Sequence, residues 1–275
     1  MENFTVIIPV HNLEHPGFLS TAVISILDQS RAPNEVIIVI DGPIGEKLND
    51  IIEKLTKKEV IVIRLEKCFG PGPARHAGIL RSTNSIIALM DSDDISRSYR
   101  FEKQLDILEK ENIDIVGGWI EEFNIDEGDL NKLRTTPERH EKIVDISKWR
   151  MPVNHVTLVF KKEAYLSIGG YKSMRYAEDF DLITRMLNSG LKFYNIQEVL
   201  VDVRVGNEMH NRRRGVRFLI CELKVFSQMY SSGYISLWKY ICNIIIRVLF
   251  RLLPSRIMSQ LYTKLFRKNT RNSSN

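Results

Sequence analysis

The sequence predicts an α/β fold with a mostly parallel central sheet flanked by helices. Three observations predict it. Short apolar, β-branched runs alternate with helix-like segments through the first half of the chain. The runs are near-continuous rather than alternating, as in strands covered on both faces. Each run also ends abruptly in polar residues, where open α/β sheets build their ligand crevices.

The first strand is read over Phe4–Val10, the second over residues 36–40, the third over Val60–Leu65 and the fourth over residues 86–90. Helix patterns fill residues 17–29, 45–57 and 73–81. Strand and helix in alternation imply parallel pairing through right-handed crossovers. The strand ends then carry Pro9-Val-His-Asn12, Asp41-Gly-Pro43 and Asp91-Ser-Asp-Asp94, three polar segments on one edge of the sheet. Residues 124–149 are charged and weakly periodic, and are expected to be a variable connection in which the pattern places no element. A strand-like run follows at residues 155–160, then a short helix. After Gly169-Gly170, a helix is read over residues 175–189, with Glu178, Asp179 and Asp181 in its opening part.

A chain of 275 residues, 44% hydrophobic and 27% charged, has ordinary composition for a soluble globular protein of one large or two small domains. Its net charge of +5 conceals an asymmetry. Residues 210–275 hold 13 Lys and Arg against one acid, Glu222, and so carry +12; the preceding 209 hold 26 basic and 33 acidic residues, or −7. A basic end on an acidic body points to a polyanionic partner, membrane or nucleic acid. Three scattered cysteines, Cys68, Cys221 and Cys242, lack metal-ligand spacing and fit a reducing compartment. The expectation is a chain without a secretory leader and without a membrane span.

Asp91, Asp93 and Asp94 place three carboxylates within four positions at the fourth strand's end. Two readings stay open for such a cluster: a solvated acidic turn, or a hard-cation site working with substrate phosphates. The segment Gly70-Pro-Gly-Pro73 is no dinucleotide fingerprint, because Arg75 stands where a third glycine belongs. A nicotinamide enzyme is therefore disfavoured.

Five motifs in order, Ile8-Pro-Val-His-Asn12, Ile40-Asp-Gly42, the glycine-bounded run from Gly70 through Arg75 to Gly78, Met90-Asp-Ser-Asp-Asp94 and Glu178-Asp-Phe-Asp181, resemble the family 2 glycosyltransferases over about the first 205 residues. The resemblance implies a GT-A nucleotide-sugar fold, a nucleoside-diphosphate sugar donor, a divalent metal (Mn2+ or Mg2+) and inversion at the anomeric carbon. It further implies that Pro9 and Asn12 bind substrate and that Asp41 contacts uracil, making a UDP-sugar the donor. Arg75 would pair with the diphosphate or hold the aspartates. Asp91 would reach the ribose and share the metal with Asp93, the DXD pair, with Asp94 a further ligand through water. Asp179 would be the general base, in a pair with Glu178. The competing reading makes Glu178, Asp179 and Asp181 plain first-turn acids that favour the helix dipole. His155 is a candidate contact for acceptor or diphosphate. It shares with His11 and His76 a purely structural alternative, as Trp119 shares core packing with stacking on a sugar.

In the tail, Lys239, Asn243, Arg247 and Arg251 recur every four positions among Leu237, Ile241, Ile244, Ile245, Val248 and Leu249. That is an amphipathic helix with a basic stripe, suited to an anionic membrane surface or to packing on the body or on a second copy. Pro254 ends it, and a second apolar and basic stretch runs on to Lys268. Nucleic acid is disfavoured, since the arginines alternate with aliphatics rather than exposed aromatics. The chain thus divides into a glycosyltransferase body, residues 1–209, and a basic helical tail, residues 210–275. Arginine-rich tails with Leu-Leu-Pro resemble those of bacterial polysaccharide-assembling members. This implies a glucose or galactose transfer to a polyprenyl-diphosphate-linked saccharide, in O-antigen or capsule assembly. The enzyme would be cytoplasmic and peripheral on the inner face of the membrane. Two rivals stand beside it: a polyprenyl-phosphate glycosyltransferase and a catalytically silent nucleotide-binding scaffold.

Overall fold

The structure is a computed structural model that describes residues 2–57, 60–110, 112–205, 216–252 and 268–269. Its first half alternates as the periodicity requires: β1 (Phe4–Val10), α1 (Pro16–Leu27), β2 (Glu35–Asp41), α2 (Glu46–Thr56), β3 (Val60–Leu65), α3 (Pro71–Arg81) and β4 (Ile86–Leu89). β1 lies between β2 and β4, with β3 outside β2, and all these pairs are parallel. The continuous apolar run of β1 follows from this placement. Val6, Ile8 and Val10 pack with Leu19 of α1 and Ile52 of α2, whereas Ile7 faces the opposite layer with Ala74 and Ile79 of α3. Each fully buried isoleucine of this kind contributes about 1.5–3 kcal/mol.

Beyond β4 the chain forms β5 (Ile95–Ser96), α4 (Arg100–Lys110), β6 (Ile115–Phe123), β7 (Lys132–Arg134), α5 (His140–Ser147), β8 (Val159–Lys161), α6 (Lys162–Ser167), α7 (Glu178–Asn188) and β9 (Phe193–Arg204). β8 inserts antiparallel between β4 and β6, and β9 runs parallel to β6 but antiparallel to β5. The sheet is therefore mixed, with its all-parallel part confined to β1–β4. A two-residue strand, β10 (Lys268–Asn269), adds to the β7 edge.

Residues 124–149, where the sequence pattern placed no element, contain β7 and α5. One expectation changes here. The strand expected from residue 155 starts at Val159, because His155–Thr157 form a 3-10 turn. Polar side chains divert the backbone there: the Thr157 hydroxyl donates to the Asn154 carbonyl (2.7 Å), and the Asn154 amide donates to the Gly118 carbonyl (2.9 Å).

Two further helices, α8 (Val216–Ser231) and α9 (Leu237–Leu252), follow. α8 packs on α7 through Phe180 and Phe226, whose ring centroids lie 5.5 Å apart. The polar stripe of α9 faces the body at Asn243 and Arg247. Asn243 is fully buried and donates to the Lys148 carbonyl (3.0 Å), and Arg247 donates to the Trp149 carbonyl (2.7 Å). Those carbonyls close the C-terminal end of α5, where unpaired acceptors and the negative end of the helix dipole attract a cation. Among the described residues no helix is long and apolar enough to cross a membrane. The 209–210 boundary and the tail at residues 254–267 and 270–275 lie outside the described residues.

Candidate active site

The C-terminal ends of β1, β2 and β4 supply the first groups. Asp41 closes β2 and is buried. One carboxylate oxygen accepts from the Phe69 amide (2.7 Å); the other accepts from the Gly70 amide (2.8 Å) and the Cys68 thiol (3.2 Å). Asp41 thus folds the loop that leads into α3 back over the strand end. Gly42 permits the close approach: at φ 88°, a Cβ there would lie 2.7 Å from the Cys68 amide nitrogen. At the end of β1, the exposed Asn12 accepts from the Gly45 amide (2.8 Å) ahead of α2, and Pro9 sits within the strand opposite Val39.

Arg75 of α3 is buried and donates to Asp91, whose side chain stays 37% exposed. Burial works against the charge of Arg75, but Asp91, Tyr171 and Glu178 around it raise its pKa. Its Nε is buried without a hydrogen-bond partner. Burial would likewise raise Asp91, yet Arg75, His155 and Arg100 hold it below the usual carboxylate range. Asp94 behaves oppositely. Burial and the like charges of Asp93 and Asp91 push it well up, against the Arg204 amide, which donates to it at 2.9 Å.

The opposing wall is the start of α7. Ala177, its N-cap, holds φ 59°, a left-handed conformation that costs a non-glycine residue roughly 1–2 kcal/mol. Glu178 lies against α3 so tightly that a Cβ at Gly72 would come 3.0 Å from its Cγ. Burial and the neighbouring Asp179 push Glu178 up to about 7. Asp179 accepts from the Phe180 amide (2.7 Å). Asp181 turns inward instead, fully buried and paired with Arg185, which also donates to the carbonyls of Ile168 and Gly170 (2.8 and 2.7 Å). It holds the 168–170 turn. Glu178 and His155 each feel the charges of Asp179, Asp91 and Arg75, so β4, α3, α7 and the 3-10 turn share one electrostatic site.

His155 Nε2 meets the Tyr171 hydroxyl at 2.7 Å. Burial and Arg75 lower its pKa to about 4, against Asp179 and Asp91, so the ring is neutral near pH 7. His76 instead bonds the Tyr165 hydroxyl (2.6 Å), and His11 Nδ1 takes the Leu13 amide (3.3 Å). Trp119 donates its ring N–H to the Thr136 carbonyl (3.2 Å).

Three residues at this site carry no sequence motif that would have marked them. Tyr171 is one. Arg204, at the end of β9, is another: its guanidinium lies 3.8 Å from the Phe18 ring centroid and 4.4 Å from that of Phe123, and its Nε donates to the Asp93 carbonyl (3.3 Å). Arg100 is the third. Fully buried, it donates to the carbonyls of Leu89 (2.8 Å) and Val156 (3.0 Å), tying β4 to the turn that carries His155. Burial lowers it to about 9, opposed by Asp94 and Asp91.

An open sheet that turns from parallel to antiparallel at β4, with an acidic loop at that point and an acidic helix start facing it, defines a GT-A-type α/β protein. The chain belongs to the family 2 glycosyltransferases: the model of Glycosyl transferase family 2 matches residues 5–169. Among its relatives is an Escherichia coli UDP-Gal:alpha-D-GlcNAc-diphosphoundecaprenol beta-1,3-galactosyltransferase, 36% identical over 244 residues and 88% of each chain. Another is the amylovoran biosynthesis glycosyltransferase AmsE of Erwinia amylovora, 32% identical over 81% of this chain and 84% of that one. S. aureus TarS 1-349 in complex with UDP-GlcNAc shares the fold at a TM-score of 0.69 and 16% identity, over 96% of this chain and 76% of that chain. The Pyrobaculum calidifontis mannosyltransferase PcManGT, in complex with GDP-Man and Mn2+, does so at 0.61 and 14%, over 96% and 80%.

Proposed function

We propose that the chain transfers a hexose, galactose before glucose, from a UDP-sugar to a saccharide on polyprenyl diphosphate, with inversion, in bacterial O-antigen or capsule assembly. The observation that carries this is the galactosyltransferase relative, 36% identical over 88% of both chains, whose name supplies donor and acceptor. The site supports it. Asp41 and the exposed Phe69 beside it form the nucleobase end, and Arg75 stands between that end and α7 as the cation for the diphosphate.

The acidic loop fits a hard divalent cation. Burial, and then the like charges of Asp93 and Asp91, push Asp94 well up, and a cation would relieve the like-charge part. Among the described residues no three acidic, His or Cys side chains converge as a cation site, so Mn2+ or Mg2+ would take one or two carboxylates here and complete its shell from phosphates and water. Asp91 and Asp93 would hold it; when bound, it draws negative charge from the departing diphosphate.

Asp179 is the base. Its carboxylate takes the proton of the acceptor hydroxyl as that oxygen attacks C1 and UDP leaves from the opposite face. Glu178, poised near neutrality, limits like-charge repulsion beside the incoming diphosphate. Neutral His155, fixed by Tyr171, orients the acceptor without adding charge. The test is a panel of UDP-sugars with a synthetic lipid-diphosphate-linked N-acetylglucosamine and, in competition, a polyprenyl phosphate. Galactose transfer to the former with an inverted linkage is expected. Transfer only to polyprenyl phosphate, or with retained configuration, overturns the reading.

A further inference from the structure

A helix packed on a protein normally buries its apolar face and wets its polar one. Helix α9 does the reverse. Asn243 is fully buried and Arg247 lies over the Phe226 ring at 3.9 Å, so both polar residues are consumed by contacts with the body. On the other side, Trp238, Ile241, Ile245 and Leu249 follow one another at spacings of three, four and four residues and form a single stripe. Trp238 is 72% exposed, Ile245 51% and Leu249 57%. A contiguous apolar stripe of this kind marks a surface made to be covered.

We propose that this outward face of α9 docks the chain on an anionic phospholipid bilayer, the helix lying flat with Trp238 at the headgroup boundary. Charge selects this occupant. Residues 210–275 carry 13 basic side chains and one acid, and Arg217 and Lys224 are exposed on the neighbouring α8. A second copy of the chain would set two such +12 segments against each other, whereas anionic headgroups neutralise them. Apolar insertion and electrostatic attraction then act together, as they do for interfacial helices, and tryptophan is the side chain that favours the boundary. The body's acidic donor site does not take part. Docking is therefore a property separate from the donor and acceptor assigned above.

The full chain is floated with vesicles of phosphatidylglycerol and phosphatidylethanolamine, and with phosphatidylcholine vesicles as control, none containing a sugar acceptor. Wild-type chain should float with the anionic vesicles. Trp238→Glu/Ile245→Glu should lose on the order of a hundredfold in partition coefficient, the scale expected when two large apolar side chains no longer leave water, with UDP binding unchanged. Trp238→Phe should still float but lose most of the quenching of tryptophan emission by brominated lipid. Several results overturn the proposal. Wild-type chain could stay with the aqueous phase, or the double variant could float undiminished, which would assign binding to the basic residues alone. A dimer that the double variant dissociates, with no vesicle binding, would assign the face to a second copy. Failure of transfer with intact flotation counts against the transferase reading only.

Discussion

Replacing Glu178 by Gln tests the electrostatics of the site without requiring substrate. Its carboxyl is pushed from the ordinary 4.5 up to about 7 by burial and by Asp179. Between those values the folded chain holds a proton that the unfolded chain has released, so stability falls as pH rises through this window. The penalty is complete above pH 7. A displacement of this size corresponds to about 3 kcal/mol. Gln is isosteric and does not titrate, so Glu178→Gln removes the penalty. Denaturant unfolding of both proteins should show a gain for the variant of under about 1 kcal/mol at pH 5, rising to about 3 kcal/mol at pH 8. A gain that is flat with pH, or one that shrinks as pH rises, refutes a raised carboxyl at this position. It would also remove the reason for assigning Glu178 a repulsion-limiting role.

Asp179→Asn should bind UDP-sugar within about twofold of wild type while transfer falls by roughly 10²–10⁴-fold, the usual worth of a general base; wild-type turnover would dismiss it. Asp93→Ala should weaken Mn2+ binding in the presence of UDP, followed by electron paramagnetic resonance, with the thermal midpoint kept; unchanged Mn2+ affinity would remove Asp93 from the cation site. Arg204→Met should lower the same affinity by roughly tenfold, because the Asp93–Asp94 loop loses the guanidinium that fixes it. Arg204→Lys, keeping charge without the guanidinium that lies near the Phe18 and Phe123 rings, should recover only part, and full recovery would make the effect one of charge alone.

Periodicity located β1 to β4 and α1 to α3 to within a few residues, because helices cover both faces of the sheet and the inner strands β1, β2 and β4 had to be largely apolar. The short elements were mostly illegible, the short helix ahead of Gly169-Gly170 (α6) excepted. β7 has three residues and exists by pairing with β6 and β10, so no local pattern encodes it. The acidic motifs pointed to one edge of the sheet, but their division of labour depends on distant groups. Asp181 reads like its neighbours in the motif, and only the position of Arg185 and the 168–170 turn sends it inward. Arg100 belongs to none of the motifs. It is buried where the carbonyls of Leu89 and of Val156, 56 residues away, accept from it.

Helix α9 shows the general form of this limit. Its sequence specifies a polar and an apolar stripe, yet which of them meets the body is set by another element. The end of α5 leaves the carbonyls of Lys148 and Trp149 without helical partners. Asn243 and Arg247 fill that need, at 3.0 and 2.7 Å, and the helix must then turn its apolar side outward. Burying that side instead would have gained hydrophobic free energy while leaving the part-buried Lys148 carbonyl unpaired, at about 1–3 kcal/mol, and Asn243 without that acceptor. The inverted packing satisfies these acceptors while Trp238 and Ile245 stand in water. The apolar surface it leaves exposed becomes available for a second environment, and the donor site can be brought to that environment with its own geometry undisturbed.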